Sequence, residues 1–259
     1  MQKKDTVGQE YYSPLKKAEL VSDTLFWVSA LLSLIVLFVE PQKNPKAFAA
    51  SQTAFCLAVL GVFVSGIAIQ IYWSSRAQDK RIADLLSHAF QVPLIAEPSK
   101  GYYNNNATDP VVRLAANVLE NTLFTKTILI KMLRWERIKV AAYTIVWLIA
   151  MLNRATDFQI ITAVAQVIFS EQVIARWLRM EWLRSQVENI HDGLYSTIQS
   201  APAINTRESR ARVMEACIRY ESAKGQAKIA LSSAIFEKIN PSVSSQWRQL
   251  SKQLKLDQQ

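Results

Sequence analysis

An unbroken apolar stretch covers residues 47–73, in which no charged residue occurs. Its 27 residues would form a helix of about 40 Å at 1.5 Å per residue, more than the ~30 Å that the hydrocarbon core of a bilayer requires. A helix of that length in a water-soluble domain carries a charged face, and this stretch has none. It therefore predicts a transmembrane helix, and with it a lipid bilayer as a partner of the chain.

A second uncharged stretch, residues 24–39, precedes the first. Proline-containing dipeptides mark the ends of both predicted helices: a start at 13–14, an end at 40–41 and a second start at 44–45. Residues 24–73 are therefore predicted to form a first transmembrane hairpin. Residues 1–23 are predicted to form a cytoplasmic N-terminal helix that leads into it.

A cleaved signal peptide over residues 1–50, ending at "AFAA", is the alternative interpretation of this region. Three charged residues, Glu40, Lys43 and Lys46, separate the apolar stretch from these alanines. A signal peptide places its cleavage site directly after the apolar stretch, so the hairpin is the favoured interpretation.

Two shorter apolar stretches, residues 140–152 and 158–169, surround a polar break. Each would cover only about 20 Å as a helix, which is short for a full span. Three interpretations remain open: a second spanning hairpin over residues 140–170, a re-entrant pair of helices, or the core of a soluble domain. The spanning hairpin is favoured, which predicts four spans in all.

The distribution of positive charge predicts the orientation. Of the Lys and Arg residues, 27 lie in the N-terminal arm, the central segment and the tail, whereas the loops at 40–46 and 153–157 carry three. By the positive-inside rule, both termini and residues 74–139 are cytoplasmic. Tryptophans support this, because four of the seven lie near the predicted cytoplasmic ends of spans: Trp27, Trp73, Trp135 and Trp177.

The parts outside the bilayer are predicted to be helical, so the fold class is all-α. A helix starting at Asp109-Pro110 carries a polar stripe along an otherwise apolar surface: Arg113, Asn117, Glu120, Thr127, Lys131 and Arg134. Such a helix either packs against other helices of the chain or lies on a membrane surface. The first interpretation is favoured. Residues 74–139 and the tail, residues 171–259, are then predicted to form a cytoplasmic helical bundle.

Two features of the tail predict its helix boundaries. Asn205, followed three residues later by Glu208, predicts a capping box at the start of a long helix. Asn240-Pro241 predicts that this helix stops near Ile239. A short basic helix is expected to follow.

The segment 98–109, "PSKGYYNNNATD", is the one extended loop predicted in the cytoplasmic part. Its Tyr102, Tyr103 and Asn104 are suited to recognition, because a tyrosine ring stacks and an amide forms paired hydrogen bonds. The alternative is an ordinary surface loop held by aromatic anchors.

No catalytic motif is found in the sequence. It contains no glycine-rich phosphate loop, no nucleophile elbow and no Cys or His spacing suited to a metal, so no metal site and no cofactor is predicted. His88 and His191 stand apart, and Cys56 and Cys217 are interpreted as packing thiols. The basic residues form no nucleic-acid-binding motif, so no nucleic-acid partner is predicted.

Small and neutral polar residues occur within the predicted spans. Ser29 and Ser33 are four apart in the first span, and Gly61 and Ser65 are four apart in the second, a spacing that permits close helix contact in lipid. Three glutamines of the spans are costly to expose to acyl chains: Gln70, Gln159 and Gln166. These seven residues predict either a helix interface or the lining of a water-filled path.

The chain has the predicted layout of two spans, a tyrosine-bearing loop, a polar helix, two further spans and a helical tail. The loop contains "GYYNNN", the polar helix contains "LENTLFTKTILIKMLRWER" and the tail contains "RYESAKGQAKIALSSAIFEKIN". This layout resembles the SMODS-associated four-transmembrane effector family. The matched positions are Tyr102, Tyr103, Asn121 and Lys126. The resemblance implies a bacterial antiphage effector of the inner membrane, which a cyclic-nucleotide signal or a protein trigger activates.

The favoured hypothesis is a homo-oligomeric inner-membrane effector, without enzymatic activity, that permeabilises the membrane when triggered. Six residues are the candidates for binding the trigger: Tyr102, Tyr103, Asn104, Arg113, Asn121 and Lys126. The alternative is a membrane-anchored sensor or scaffold that recruits a separate effector and forms no pore. A third class, a membrane-embedded lipid-modifying enzyme, would depend on His191 or Asp192.

Overall fold

The computed structural model describes residues 5–103, 105, 107–152, 158–168, 170–200 and 204–256. Over these residues the chain is helical and contains no β-strand. Eight α-helices follow one another: α1 Ser13–Phe38, α2 Pro45–Ala68, α3 Ser75–Phe90, α4 Pro110–Leu152, α5 Phe158–Ile168, α6 Arg176–Ser200, α7 Arg207–Ala227 and α8 Ser233–Gln253. Three short π-helical segments accompany them: Gly8–Tyr12, Ile69–Ser74 and Glu171–Ala175. The predicted all-α fold class is confirmed.

The chain divides into two compact units. The apolar unit comprises Pro14–Ser74 and Trp135–Leu178, and the polar unit comprises Met1–Ser13, Ser75–Arg134 and Arg179–Gln259.

Proline sets the start of two helices, as the sequence predicts. Pro45 occupies the first turn of α2, where its missing N–H costs no hydrogen bond. Pro110 does the same in α4, and the Asp109 carboxylate caps this helix by accepting hydrogen bonds from the amides of Val111 and Val112 at 2.7 and 3.2 Å.

Two helical runs are long and apolar enough to cross a membrane, judged by length and composition: Gly8–Val36 and Pro45–Phe90. Mean hydropathy reaches 1.6 in the first and 2.3 in the second. Only 17% and 6% of these apolar windows are buried within the chain. The core helix of a soluble protein is mostly buried, so the exposure of these windows favours membrane association.

Side chains from both predicted hairpins pack together within the apolar unit. Phe26 of α1, Val140 of α4 and Val173 form its buried centre. Partly buried neighbours cover this centre: Val62, Tyr143, Val167, Ile174 and Trp177. The apolar unit therefore has its own core, although its outer surface remains apolar.

The N-terminal half of α4 is the central element of the polar unit, where every residue from Leu114 to Glu120 is buried. One side-chain pair joins it to each of four neighbouring helices: Asn117–His88 of α3, Thr122–His191 of α6, Thr125–Tyr220 of α7 and Phe124–Phe236 of α8. Of the predicted polar stripe, Asn117 and Glu120 are thus buried in the polar unit, whereas Lys131 and Arg134 are exposed.

The predicted boundaries of the tail helices are wrong in three places. The cap of α7 is Thr206, which accepts a hydrogen bond from the Ser209 amide at 3.1 Å, whereas Asn205 was expected. This helix ends at Ala227, where Lys228 adopts a left-handed conformation with φ of 51°. Pro241 does not end a helix but lies inside α8. A proline inside a helix costs about 3 kcal/mol, and α8 offsets this by burying an apolar face that includes Val243 and Trp247.

Candidate functional site

Side chains of α3 hold the loop between α3 and α4. The Asp84 carboxylate accepts a hydrogen bond from the Ser99 amide at 2.8 Å, and the Ser87 hydroxyl accepts one from the Leu94 amide at 3.0 Å. Both α3 residues are buried, so these bonds form away from water, where backbone amides need a partner. The path of the loop is thus set by its contacts with α3.

Arg113, predicted to bind a trigger, donates to backbone carbonyls at both ends of this loop. Its Nη1 lies 3.0 Å from the carbonyl oxygen of Ala89 in the last turn of α3, and its Nε lies 2.9 Å from that of Ala107. Weaker contacts reach the carbonyls of His88 and Thr108 at 3.4 and 3.3 Å. A planar guanidinium with five donors suits this arrangement, because the last carbonyls of a helix lack intrahelical partners. Arg113 therefore supports the loop.

The two tyrosines of the loop stack edge to face, with ring centroids 4.9 Å apart. Tyr103 is buried, and its ring lies 4.7 Å from that of His88. Burial raises the pKa of both tyrosine hydroxyls, so both are neutral at physiological pH. The Tyr103 ring thus points into the polar unit, whereas Tyr102 is half-buried. Asn104 lies outside the described residues.

Arg81 of α3 contacts side chains of the N-terminal segment, of α3 itself and of the tyrosine loop. Its guanidinium forms an ion pair with the Asp5 carboxylate at 3.0 Å and lies 3.7 Å from that of Asp84. The same group lies 4.5 Å from the ring centroid of Tyr102 and 5.4 Å from that of Tyr12, both within cation–π distance. We call Asp5, Tyr12, Arg81, Asp84 and Tyr102 the Arg81 cluster.

Three buried polar atoms in and beside this cluster form no hydrogen bond within the described part of the chain: Arg81 Nη1, Asp84 Oδ2 and Tyr103 Oη. They comprise a donor, an acceptor and a hydroxyl that can act as either. Buried polar groups of this kind are usually satisfied in folded proteins. Arg81 Nη1 and Asp84 Oδ2 face each other as the 3.7 Å ion pair, so the Tyr103 hydroxyl is the group of these three that retains hydrogen-bonding capacity.

A further cation of the polar unit, Lys224 of α7, is half-buried. It forms an ion pair with Glu221 at 3.0 Å and lies 4.9 Å from the ring centroid of Tyr220. Burial alone would lower the pKa of Lys224, but the Glu221 carboxylate, together with the nearby Tyr220 and Tyr12, raises it. Gln78 of α3 donates to the backbone carbonyl of Glu221 at 2.7 Å, which ties α7 to α3.

The other two predicted trigger-binding residues lie further along α4. The backbone carbonyl of Asn121 accepts a 3.4 Å hydrogen bond from the Tyr220 hydroxyl. The pKa of Lys126 is lowered by burial, which Asp192 and Glu188 only partly oppose. The predicted trigger-binding residues therefore form two groups. Tyr102, Tyr103 and Arg113 lie at the loop, and Asn121 and Lys126 lie in the middle of α4.

His191 is buried beside Lys126. The Thr122 hydroxyl donates to the Leu119 carbonyl at 2.9 Å and lies 3.0 Å from Nδ1 of His191. Burial, together with the charge of Lys126, lowers the pKa of His191 to about 4, so the ring is neutral at physiological pH. These contacts are typical of a satisfied helix-packing histidine.

Small residues of the first hairpin meet within the apolar unit. A Cβ placed on Gly61 of α2 would lie 3.4 Å from Leu25 Cδ1 of α1. The hydroxyls of Ser65 and Ser22 are 3.1 Å apart. Ser29 and Ser33 donate to backbone carbonyls of their own helix, those of Phe26 and Ala30. These small residues thus serve the contact between α1 and α2 or their own helix.

The three glutamines of the predicted spans have exposed side chains: Gln70, Gln159 and Gln166. Large apolar side chains of the apolar unit are exposed as well, with an exposed fraction of 64% for Phe63 and 72% for Ile71. The glutamines do not lie in the buried centre of the apolar unit.

Within the described residues, no three or more His, Cys, Asp or Glu side chains lie together in a way that suits a metal ion. No protein-family model, no curated protein and no solved structure matches this chain.

Sequence reasoning did not identify Arg81, Asp5, Tyr12 or Lys224 as parts of a common site. These residues come from three segments, and Arg81 and Asp5 are 76 positions apart. The one available signal was the clustering of aromatic and basic residues close to each end of the first hairpin. Such clustering is equally typical of a membrane interface.

Proposed function

We propose that the chain is a multi-pass inner-membrane effector of a bacterial antiphage defence system. In this proposal it crosses the membrane four times with both termini in the cytoplasm. It assembles into a homo-oligomer and permeabilises the membrane when a cyclic nucleotide or a protein engages its cytoplasmic helical part. The chain acts without catalysing a reaction.

One observation carries the proposal: α2 and the residues after it expose apolar side chains over a length that matches a bilayer. Only 6% of the most apolar window between Pro45 and Phe90 is buried within the chain. In water such a surface would drive aggregation, whereas in lipid it has a favourable solvent. A lipid bilayer is therefore the environment that suits the folded chain.

The exposed glutamines support assembly. A primary amide facing acyl chains leaves two donors and an acceptor without partners, which costs free energy in lipid. Gln166 of α5 and Gln70 both have exposed side chains. Contact with a second copy or with a water-filled path would satisfy these amides, and both fit an oligomer that opens a pore.

The core of the apolar unit supports a four-span arrangement. Phe26 belongs to the first predicted hairpin, whereas Val140 and Val173 belong to the second hairpin and its C-terminal end. If α1 and α2 cross the membrane, the segments around Val140 and Val173, which pack in the same core, lie in the membrane as well. The sequence resemblance supplies the biological setting of the proposal, and the charge asymmetry supplies its orientation.

Dye release from proteoliposomes tests this function. The purified protein is reconstituted with a self-quenching dye and exposed to cyclic nucleotides, while membrane depolarisation is followed in parallel in cells under phage challenge. We expect release by the wild type, and a severalfold slower release when both Gln70→Leu and Gln166→Leu are present. Gln249→Leu, which alters an exposed glutamine of α8, is the matched control and should behave as the wild type.

Intact vesicles and polarised cells under a demonstrated trigger would reject the effector proposal. The scaffold alternative makes the opposite prediction for the glutamine variants. Toxicity would survive Gln70→Leu and Gln166→Leu, and an enzyme would co-purify with the chain.

A further inference from the structure

Two segments of the polar unit flank the first hairpin in the sequence. Residues 5–12 lead directly into α1, which begins at Ser13, and α3 begins at Ser75, directly after the π-helical segment that follows α2. The polypeptide thus enters and leaves the hairpin through these two segments. Any contact between them constrains both ends of the hairpin through the chain itself.

Side chains of these two segments contact each other in four places. Asp5 and Arg81 form the 3.0 Å ion pair, and the ring of Tyr12 lies 5.4 Å from the Arg81 guanidinium. The ring of Tyr11 lies 5.7 Å from the guanidinium of Arg76 and 6.0 Å from the ammonium of Lys80. The carboxylate and the tyrosine rings of these contacts belong to residues 5–12, the segment that enters the hairpin. The cations all belong to α3, the segment that leaves it.

The entering segment is folded into the polar unit. Val7 and Thr6 are 1% and 4% exposed. The Asp5 carboxylate accepts a 2.8 Å hydrogen bond from the Gly8 amide, so the same side chain closes the first turn of this segment and pairs with Arg81. Asp5 therefore couples the local fold of residues 5–12 to α3.

Arg81 is shared between this contact and the tyrosine loop. Its guanidinium lies 4.5 Å from the ring centroid of Tyr102, closer than to that of Tyr12. One guanidinium offers only two faces and five donors, so a ligand that moves Tyr102 or attracts Arg81 competes with the contacts to Asp5 and Tyr12. The tyrosine loop and the segment that enters α1 thus share one side chain, that of Arg81.

We propose that the contacts of Asp5, Tyr11 and Tyr12 with α3 form a clasp that keeps the effector closed. Engagement of the loop at Tyr102 draws Arg81 away, opens the clasp and frees the two ends of the first hairpin to rearrange. This regulatory role rests on the proposed permeabilising function. The clasp itself is a structural claim that can be measured without it.

Two variants open the clasp by different means. Asp5→Asn removes the charge that pairs with Arg81 but keeps an oxygen that accepts from the Gly8 amide. Gly8→Ala keeps the charge but places a Cβ that would overlap the Asp5 carboxylate, so the carboxylate has to move. Arg210→Gln is the matched control, because it removes another ion pair of the polar unit, the 3.0 Å pair with Asp109, outside the clasp.

Hydrogen exchange of residues 5–12 and dye release without any trigger are measured on the full-length protein in liposomes. We expect exchange about tenfold faster in Asp5→Asn and Gly8→Ala than in the wild type. We also expect a basal dye leak in both variants, and wild-type behaviour of Arg210→Gln in both measurements.

Each other outcome has a defined meaning. Unchanged exchange in both clasp variants overturns the clasp. Faster exchange without a basal leak, in a protein whose wild type does open when triggered, overturns the regulatory role. If the wild type never releases dye, the effector function fails, and the exchange data alone then decide whether the clasp holds residues 5–12.

Discussion

The hydroxyl of Ser65 in α2 lies 3.1 Å from that of Ser22 in α1, within hydrogen-bond distance. One turn earlier on α2, Gly61 faces Leu25 of α1, whereas within the described residues no heavy atom beyond the neighbouring backbone of α2 lies within 4 Å of the point where a Cβ would stand on Gly66. The two glycines of α2 thus occupy opposite situations, because Gly61 permits the close approach of α1 and Gly66 does not take part in it.

This difference predicts that the same substitution destabilises the protein at Gly61 and leaves its stability unchanged at Gly66. Gly61→Leu should separate α1 from α2 and destabilise the protein by about 1–3 kcal/mol, since the leucine branches extend past a Cβ that already touches Leu25. Gly66→Leu should fold as the wild type. Thermal unfolding of the detergent-solubilised variants measures both. Equal stability of the two variants would contradict the packing of α1 on Gly61.

The two cysteines predict how the chain reacts with a thiol reagent. Cys56 is exposed on α2, about 14 Å along the helix from the start of the uncharged stretch, hence within the hydrocarbon core if α2 spans a bilayer. Cys217 is buried, and burial raises the pKa of its thiol to about 12. We expect a charged maleimide to label neither thiol in intact proteoliposomes and both in denaturant.

The same reagent distinguishes a spanning α2 from one in water. If α2 lay in a soluble domain, its exposed Cys56 would react quickly in the native state, because thiolates form readily in water and hardly at all in lipid. Fast labelling of one thiol per chain in proteoliposomes, abolished by Cys56→Ser, would contradict the membrane placement.

Arg113 predicts a stability effect that distinguishes structural support from ligand recognition. Lysine keeps the positive charge but cannot reach carbonyls at both ends of the loop, those of Ala89 and Ala107, with one nitrogen. Arg113→Lys should therefore lower the free energy of unfolding by about 2–3 kcal/mol and expose the loop to proteolysis. Arg212→Lys on an exposed face of α7, where the pair with Glu208 is solvated, should change it by less than about 0.5 kcal/mol. Wild-type stability of Arg113→Lys would contradict the supporting role.

Features that depend on short stretches of sequence were predicted well. The starts of α2 and α4 follow from Pro45 and from Asp109 with Pro110, because helix initiation is decided within one turn. The apolar character of residues 47–73 likewise needs no tertiary information. Pro241 shows the limit of such reasoning, since its local cost is outweighed by the burial of Val243 and Trp247, which no local pattern reveals.

The site was predicted only in part. The tyrosine loop was located from its composition, but sequence alone could not tell that Tyr103 points inward or that Arg113 serves backbone carbonyls. The Arg81 cluster depends on contacts between residues 76 positions apart, and a single sequence carries no information on such pairs. Spacing along the chain predicts which residues share a helix face, and no more.

His191 predicts how stability depends on pH. Its pKa is about 4 in the folded chain and about 6.5 in the unfolded one, because burial and Lys126 disfavour the charged ring. As pH falls from about 6.5 to about 4, the unfolded state binds a proton that the folded state does not, so stability decreases over this range. The loss amounts to about 3 kcal/mol once pH is below the folded pKa.

His191→Gln should remove this part of the pH dependence. A glutamine amide can still donate to the Thr122 hydroxyl but does not titrate, so the variant should lose less stability between about pH 7 and about pH 4.5 than the wild type does. His88, whose pKa is also lowered by burial, remains in the variant and leaves a residual slope. Chemical unfolding of both proteins across this range measures the difference. A variant with the full wild-type slope would show that folding does not lower the pKa of His191.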